Sequence, residues 1–366
     1  MLSRDYLDNV ADVLSDIYAE LEMQVIFEMA KAIEKTLKAK NFNAMRIKQR
    51  DELYKTIIRL TQGIAYKSGV EVNKTVKNAA IKSYAFDSNI YQAAGITAGK
   101  LLDQPYLAQI LAAGIERTNG SLLNFTGTMA TNVTKSYLQT VDLAYMEITT
   151  GATDYNSAIK KAVKRIASEG VTTVWFDGRT NHLDTAVRRA VLTGVNQTAL
   201  QITDATGDEL GSYLIQTSAH WGAREGEGYK GHVNWQGKVF SKRPSSKYKD
   251  FRTSTGYGKV DGLGGANCRH SFFPYFEVVS VDIPKLPPKP DVIFKGKTYS
   301  FYEATQRQRA IERNIRRWKR EQKAIDTVNL DSTYEKNKVL AWQKEAREFT
   351  KATGVLRRYD LESIAY

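Results

Sequence analysis

The chain of 366 residues has one cysteine, Cys268, so no disulfide can close within it and any oxidised partner must be another chain. Proline is scarce: seven in all, with Pro105 the only one before residue 244. A first half with almost no proline keeps its amide donors and permits long helices. Apolar runs are short. The longest, around Leu107 to Ile115, is under half the ~20 residues that a membrane-spanning helix needs. The opening MLSRDYLDNV lacks the basic-then-apolar layout of a secretory signal. Phosphate-loop, HExxH, GxSxG and GxGxxG fingerprints are also missing, and TGYGKVDGLGG reads as a flexible turn because no lysine–serine pair and helix follow it. These absences leave a protein without a membrane span, made in a reducing cytoplasm.

What the chain has is positive charge, unevenly placed. Residues 1–219 hold 24 Lys or Arg against 23 Asp or Glu; residues 220–366 hold 29 against 17. Nearly all of the net +13 therefore lies in the last two-fifths, which points to a polyanion or an acidic protein surface as partner of that part.

Patterning places four regions. Residues 1–208 read as helical: Leu7, Val10, Leu14, Ile17 and Leu21 recur at steps of 3, 4, 3 and 4 behind the cap Ser3. Similar patterns run through 44–68, 98–117, 123–149 and 154–169, with Asn119-Gly120, Gly151 and Gly170 as expected breaks. A further helix is expected over 183–206, with Gly194 there to allow close backbone packing. Residues 209–283 change grammar, with alternation at Tyr213 to Ser218 and many glycines, and read as a small α+β module with long loops. Residues 284–298, opening on PKLPPKP, read as an extended linker, and 299–366 as a basic helical region. The fold class expected is mainly α with a small, loop-rich α+β module.

Two groups of residues could carry function. On the helix expected at 300–325, Ile311, Ile315, Trp318 and Ile325 make an apolar seam, while Arg309, Arg313, Arg316, Arg320 and Lys323 follow the same spacing displaced by two residues. Two residues are ~200° around a helix, so the seam is expected inward and the cations, with Arg317, outward as a DNA-binding ridge. The second group is His220, His232, Cys268 and His270. Imidazoles and a thiolate suit zinc, but the spacing H-x11-H…C-x-H matches no standard finger, and a site forms only if two loops meet. The competing reading has them bonding backbone in a small core. A metal-dependent nuclease or hydrolase built on His232, Asn234 and His270 is the alternative function; it would need Asp250 or Asp261, which lack motif spacing.

DTAVRRAVLTGVNQT (184–198), TSAHWGAR (217–224), HVNWQGKVFS (232–241), GLGGANCRHSFFPYFE (262–277) and QRQRAIERNIRRWKR (306–320) occur in this order. Together they resemble the phage minor capsid protein 2 family, with a C-terminal module similar to the Mu F-like head-morphogenesis proteins. The resemblance implies a non-enzymatic virion component of the capsid interior or portal vertex. Its implied partners are portal and major capsid proteins and non-specifically held double-stranded DNA. It also implies a structural or metal-binding role for His220, His232, Cys268 and His270. Here Glu225 to Gly231 lengthens the loop after Ala223-Arg224, and Val278 stands where the family tends to place glycine.

Overall fold

The computed structural model describes residues 1–174, 180–280, 283, 286–287 and 289–364. Among these residues the first part is a bundle of six helices: α1 (Arg4–Asn9), α2 (Asp12–Leu37), α3 (Phe42–Ala93), α4 (Pro105–Thr149), α5 (Tyr155–Glu169) and α6 (Leu183–Glu209). At 1.5 Å per residue, the 52 residues of α3 extend about 78 Å. Its buried line Leu53, Ile57, Thr61, Ile64, Ser68, Val72 and Val76 keeps steps of three or four, which holds one face inward along this length. α4 does the same through Leu107, Leu111, Gly114, Thr118, Leu122 and Phe125. Asn119 and Gly120 lie off that line, so the helix runs through them: the expected break is absent because seam packing outweighs a cost of ~1 kcal/mol for one glycine. Gly151 and Gly170 do end helices, both at positive φ.

The region read as all-helical contains a short β pair. After Gly170 the β-branched run Val171-Thr172-Thr173-Val174 enters a short antiparallel pair, β1 (Thr172–Val174) with β2 (Thr180–His182), and Thr173 is fully buried. α6 then crosses α4 where both carry small residues. A β-carbon on Gly194 would overlap Thr118 Oγ1, and one on Gly114 would overlap Thr198 Oγ1. The expected close packing at Gly194 is present, and it is reciprocal.

The α+β module is a three-stranded antiparallel sheet in the order β4 (Val239–Ser241), β3 (Leu214–Thr217), β5 (Phe272–Pro274), with α7 (Phe251–Thr255) and long loops. Its small core joins Ile215, Trp235, Phe240, Phe251, Leu263, Cys268 and Phe272 to Leu200 of α6, so α6 is a spine shared by bundle and module. Pro284 and Pro288 lie outside the described residues. The rest of the segment expected to be a linker holds a hairpin, β6 (Val292–Phe294) with β7 (Lys297–Tyr299).

Two helices follow. α8 (Phe301–Thr327) opens on a capping box between Ser300 and Glu303, and α9 (Thr333–Thr353) folds back on it. Ala304, Ile311 and Ile315 pack with Phe294, Ala346 and Phe349, whereas Ala324 and Ile325 join the bundle core. The architecture is thus mainly α with a small α+β module. Among the described residues no helix is long and apolar enough to cross a membrane.

Candidate functional site

The two histidine- and cysteine-bearing loops meet. His232 starts a single 3-10 turn, Cys268 closes the glycine-rich turn, and His270 precedes β5. His232 Nδ1 and His270 Nδ1 each lie 3.8 Å from Cys268 Sγ. The three donors fall within 4.8 Å of one another and all three residues are buried. His220, three residues beyond β3, stacks on His270 with ring centroids 4.1 Å apart but does not belong to that close set.

The hydrogen bonds around the rings determine where the lone pairs point. His232 Nε2 is 3.1 Å from the carbonyl of Asp261, which can only accept, so Nε2 carries the proton and Nδ1 faces the sulfur bare. Gln236 Oε1 already accepts from the His220 amide and lies 3.2 Å from His270 Nε2, which leaves His270 Nδ1 bare in the same way. His220 Nδ1 donates to the Trp221 carbonyl, and its buried Nε2 has no partner. Burial lowers His220 and His232 to about 4 and takes His270 well down too, so all three rings are neutral at physiological pH. Burial pushes the Cys268 thiol up, opposed by the backbone N–H groups of His270 and Gly264 aimed at the sulfur.

This donor set fits zinc. Bonds of about 2.3 Å to sulfur and 2.0–2.1 Å to nitrogen in a tetrahedron separate S and N by about 3.6 Å, close to the 3.8 Å found for both histidines. The carbonyl of Asp261 and the amide of Gln236 supply the outer hydrogen bonds that fix ligand tautomers. Trp235 lies edge-on to His270 and tilted against His232, closing the site. Asn196 of α6 donates to the carbonyls of both Cys268 and His270 and ties the cluster to the bundle. Sequence reasoning missed Asn196 and Gln236: Asn196 is one of several buried polar residues of α6, beside Thr198, Thr203 and Thr206, and Gln236 lies in a loop without periodicity.

The carboxylates that a nuclease would need are engaged elsewhere. Asp250 caps α7 through the Thr253 amide, and the Asp261 carboxylate pairs with Lys230 at 3.3 Å. Asn234 holds its loop by donating to the carbonyls of Gly226 and Gly228.

The cationic ridge on α8 does not face outward as a unit. Arg320 is buried, pairs with Glu22 at 3.6 Å and donates to the Ala167 carbonyl. Arg316 pairs with Asp184 at 2.8 Å and donates to the Leu361 carbonyl. Burial works against the Asp184 carboxylate, but Arg316 and Arg320 hold it down at about 2. Arg317 pairs with Glu321 at 2.8 Å, and Lys323 is half-buried. Burial, with Arg269 close by, lowers Arg309 to about 10. Arg313 is exposed. The expectation failed because α8 has neighbours on two sides: with α9 covering one face and α2 and α5 another, an offset of two residues leads into the bundle rather than into water.

An exposed basic stretch lies in the module. Residues 229–260 carry eight Lys or Arg and one acidic residue, Asp250. Of these, Lys238, Arg243, Lys249 and Lys259 are exposed and form no ion pair among the described residues. Arg243 lies over the ring of Tyr213 and Lys259 over that of Tyr229.

A sequence model of the family described as phage minor capsid protein 2 matches residues 2–351. Among curated proteins, a structural protein of Lactococcus phage LL-H is 25% identical over 275 residues, covering 72% of this chain and 70% of the relative. A structural protein of Lactococcus phage mv4 is 32% identical over 114 residues, 30% of this chain and 87% of the relative. No solved structure matches.

Proposed function

The chain belongs to the phage minor capsid protein 2 family and is a structural protein of the phage virion, and from that premise we propose that it works in the capsid interior or at the portal vertex. In this reading the helical bundle grips portal and major capsid proteins, and the module touches packaged double-stranded DNA without reading its sequence. The observation that carries the DNA contact is the exposure of Lys238, Arg243 and Lys249, cations left without carboxylate partners among the described residues, with Arg243 over the exposed ring of Tyr213. Cations of this kind neutralise phosphates and release counterions, whatever the base sequence.

Within the module, Cys268, His232 and His270 hold a structural zinc ion that pins two long loops to α6 through Asn196. A core this small gains little from apolar burial alone, and a bound metal ion offsets that shortfall. Burial of all three donors, away from solvent, is what supports a structural role for the ion.

The test is duplex binding by the full chain across a range of salt. Lys238→Ala, Arg243→Ala and Lys249→Ala together should weaken binding and reduce the slope of log K against log salt by about 3. An unchanged slope removes the DNA contact from this face. Elemental analysis of the same preparation should find zinc in the parent chain and none in Cys268→Ser.

A further inference from the structure

A cavity of about 740 Å³ opens between α4, α6 and the glycine-rich turn of the module. Its volume falls in the range of small-ligand sites. Arg117 comes from α4, Arg189 from α6, and Arg252 and Lys259 from the module, against one lining carboxylate, Asp204. That carboxylate is already committed, to Lys242 at 2.7 Å and to Arg252 at 3.0 Å. Asp204 offsets Arg252, whereas Arg117 and Lys259 form no ion pair among the described residues, so the concavity keeps an excess of positive charge that a bound anion would relieve.

The neutral lining also suits an anion. Thr193 Oγ1 is buried there without a hydrogen-bond partner. Gly258 stands at φ +93° with open space about its α-carbon, and the N–H groups of Gly258 and Val260 have no partner among the described residues. Backbone amides presented by such a turn, together with guanidinium groups, are the chemistry that recognises phosphate oxygens.

We propose that this cavity is a binding site for linked phosphate groups, in which the anion bridges the helical bundle and the module. Linked phosphates have two sources in a phage particle or its host: a free polyphosphate or nucleotide, and the backbone of DNA. None of Lys238, Arg243 and Lys249 lines the cavity, so the site stands or falls separately from the contact proposed for those three cations.

Equilibrium binding of tripolyphosphate, and separately of a short DNA duplex, to the full-length chain tests it. Tripolyphosphate should saturate at about one per chain, and Arg117→Glu with Lys259→Glu should weaken it at least tenfold, while Lys238→Ala/Arg243→Ala/Lys249→Ala leaves it unchanged. That outcome assigns the site to a free phosphate compound. If tripolyphosphate fails to bind but duplex affinity falls at least tenfold in the double reversal, DNA is the source. Absence of tripolyphosphate binding with unchanged duplex affinity, or binding indifferent to the double reversal, overturns the proposal. Arg117 and Lys259 are exposed, so their reversal spares the fold. In the unaltered chain, protection of Lys259 from acetylation by the bound anion gives a second reading.

Discussion

Thr118 of α4 fills the space where Gly194 of α6 would carry a β-carbon, its Oγ1 donating to the Gly114 carbonyl at 2.8 Å. Gly194→Ala should therefore destabilise the chain by roughly 1–3 kcal/mol, despite the better helix propensity of alanine. Thr118→Ala should rescue it, because the remaining atom of that side chain lies 3.2 Å from the new carbon. The mirror pair behaves differently. At Gly114 the Cβ of Thr198 would itself be 2.9 Å away, so Thr198→Ala should not fully rescue Gly114→Ala. Denaturant unfolding of the two double-mutant cycles checks the contrast.

The periodicities that survive into the fold are those with a packed seam behind them. Ile311, Ile315 and Ile325 are buried as their spacing implied, and the role of Gly194 was visible because a glycine amid apolar helix spacing needs a reason. Asn119-Gly120 misled because a local turn preference says nothing of a seam that continues on the opposite side. Arg316 and Arg320 misled because the sequence does not say how many neighbours a helix has. His232 and Cys268 were readable as zinc-ligand types, but they are 36 residues apart, and only the fold brings their loops together.

Arg320 should matter for stability and not for DNA. Its guanidinium and the Glu22 carboxylate are both buried, and Glu22 also accepts from the Val171 amide at 3.0 Å. Arg320→Ala leaves a buried carboxylate without its cation, which costs about 3–5 kcal/mol. Hydrogen exchange should show faster exchange in α8 and α2, with duplex affinity at fixed salt unchanged. A loss of duplex binding in a folded Arg320→Ala chain would return the ridge to a DNA-facing role.

Glu312 gives the C-terminal region a pH dependence. Burial raises its carboxyl to about 7, although Gln308 donates to it and Arg316 lies near. From the ordinary carboxylate range up to pH 7 the folded chain holds a proton that the unfolded chain has released, so stability falls as pH rises through that window. Glu312→Gln keeps the shape and removes the titration. Its melting temperature should exceed that of the parent at pH 8, with the gap closing by pH 5. An equal gap at both values would contradict the assignment.

Zinc removal should loosen one part of the molecule. Treatment with a strong chelator should speed proteolysis in the 221–238 loop and around 257–268 while leaving α2 and α3 protected, since the bundle core is separate from that of the module. Readdition of zinc should restore resistance, and His232→Ala should abolish that restoration.

Where the module points inside the particle is best settled by protein–DNA crosslinking in intact virions, read by mass spectrometry of the crosslinked peptides. The proposed arrangement requires DNA adducts within residues 229–260, with bundle helices crosslinked to portal or capsid protein instead. Adducts confined to α8, or particles in which this chain crosslinks only to protein, would contradict it.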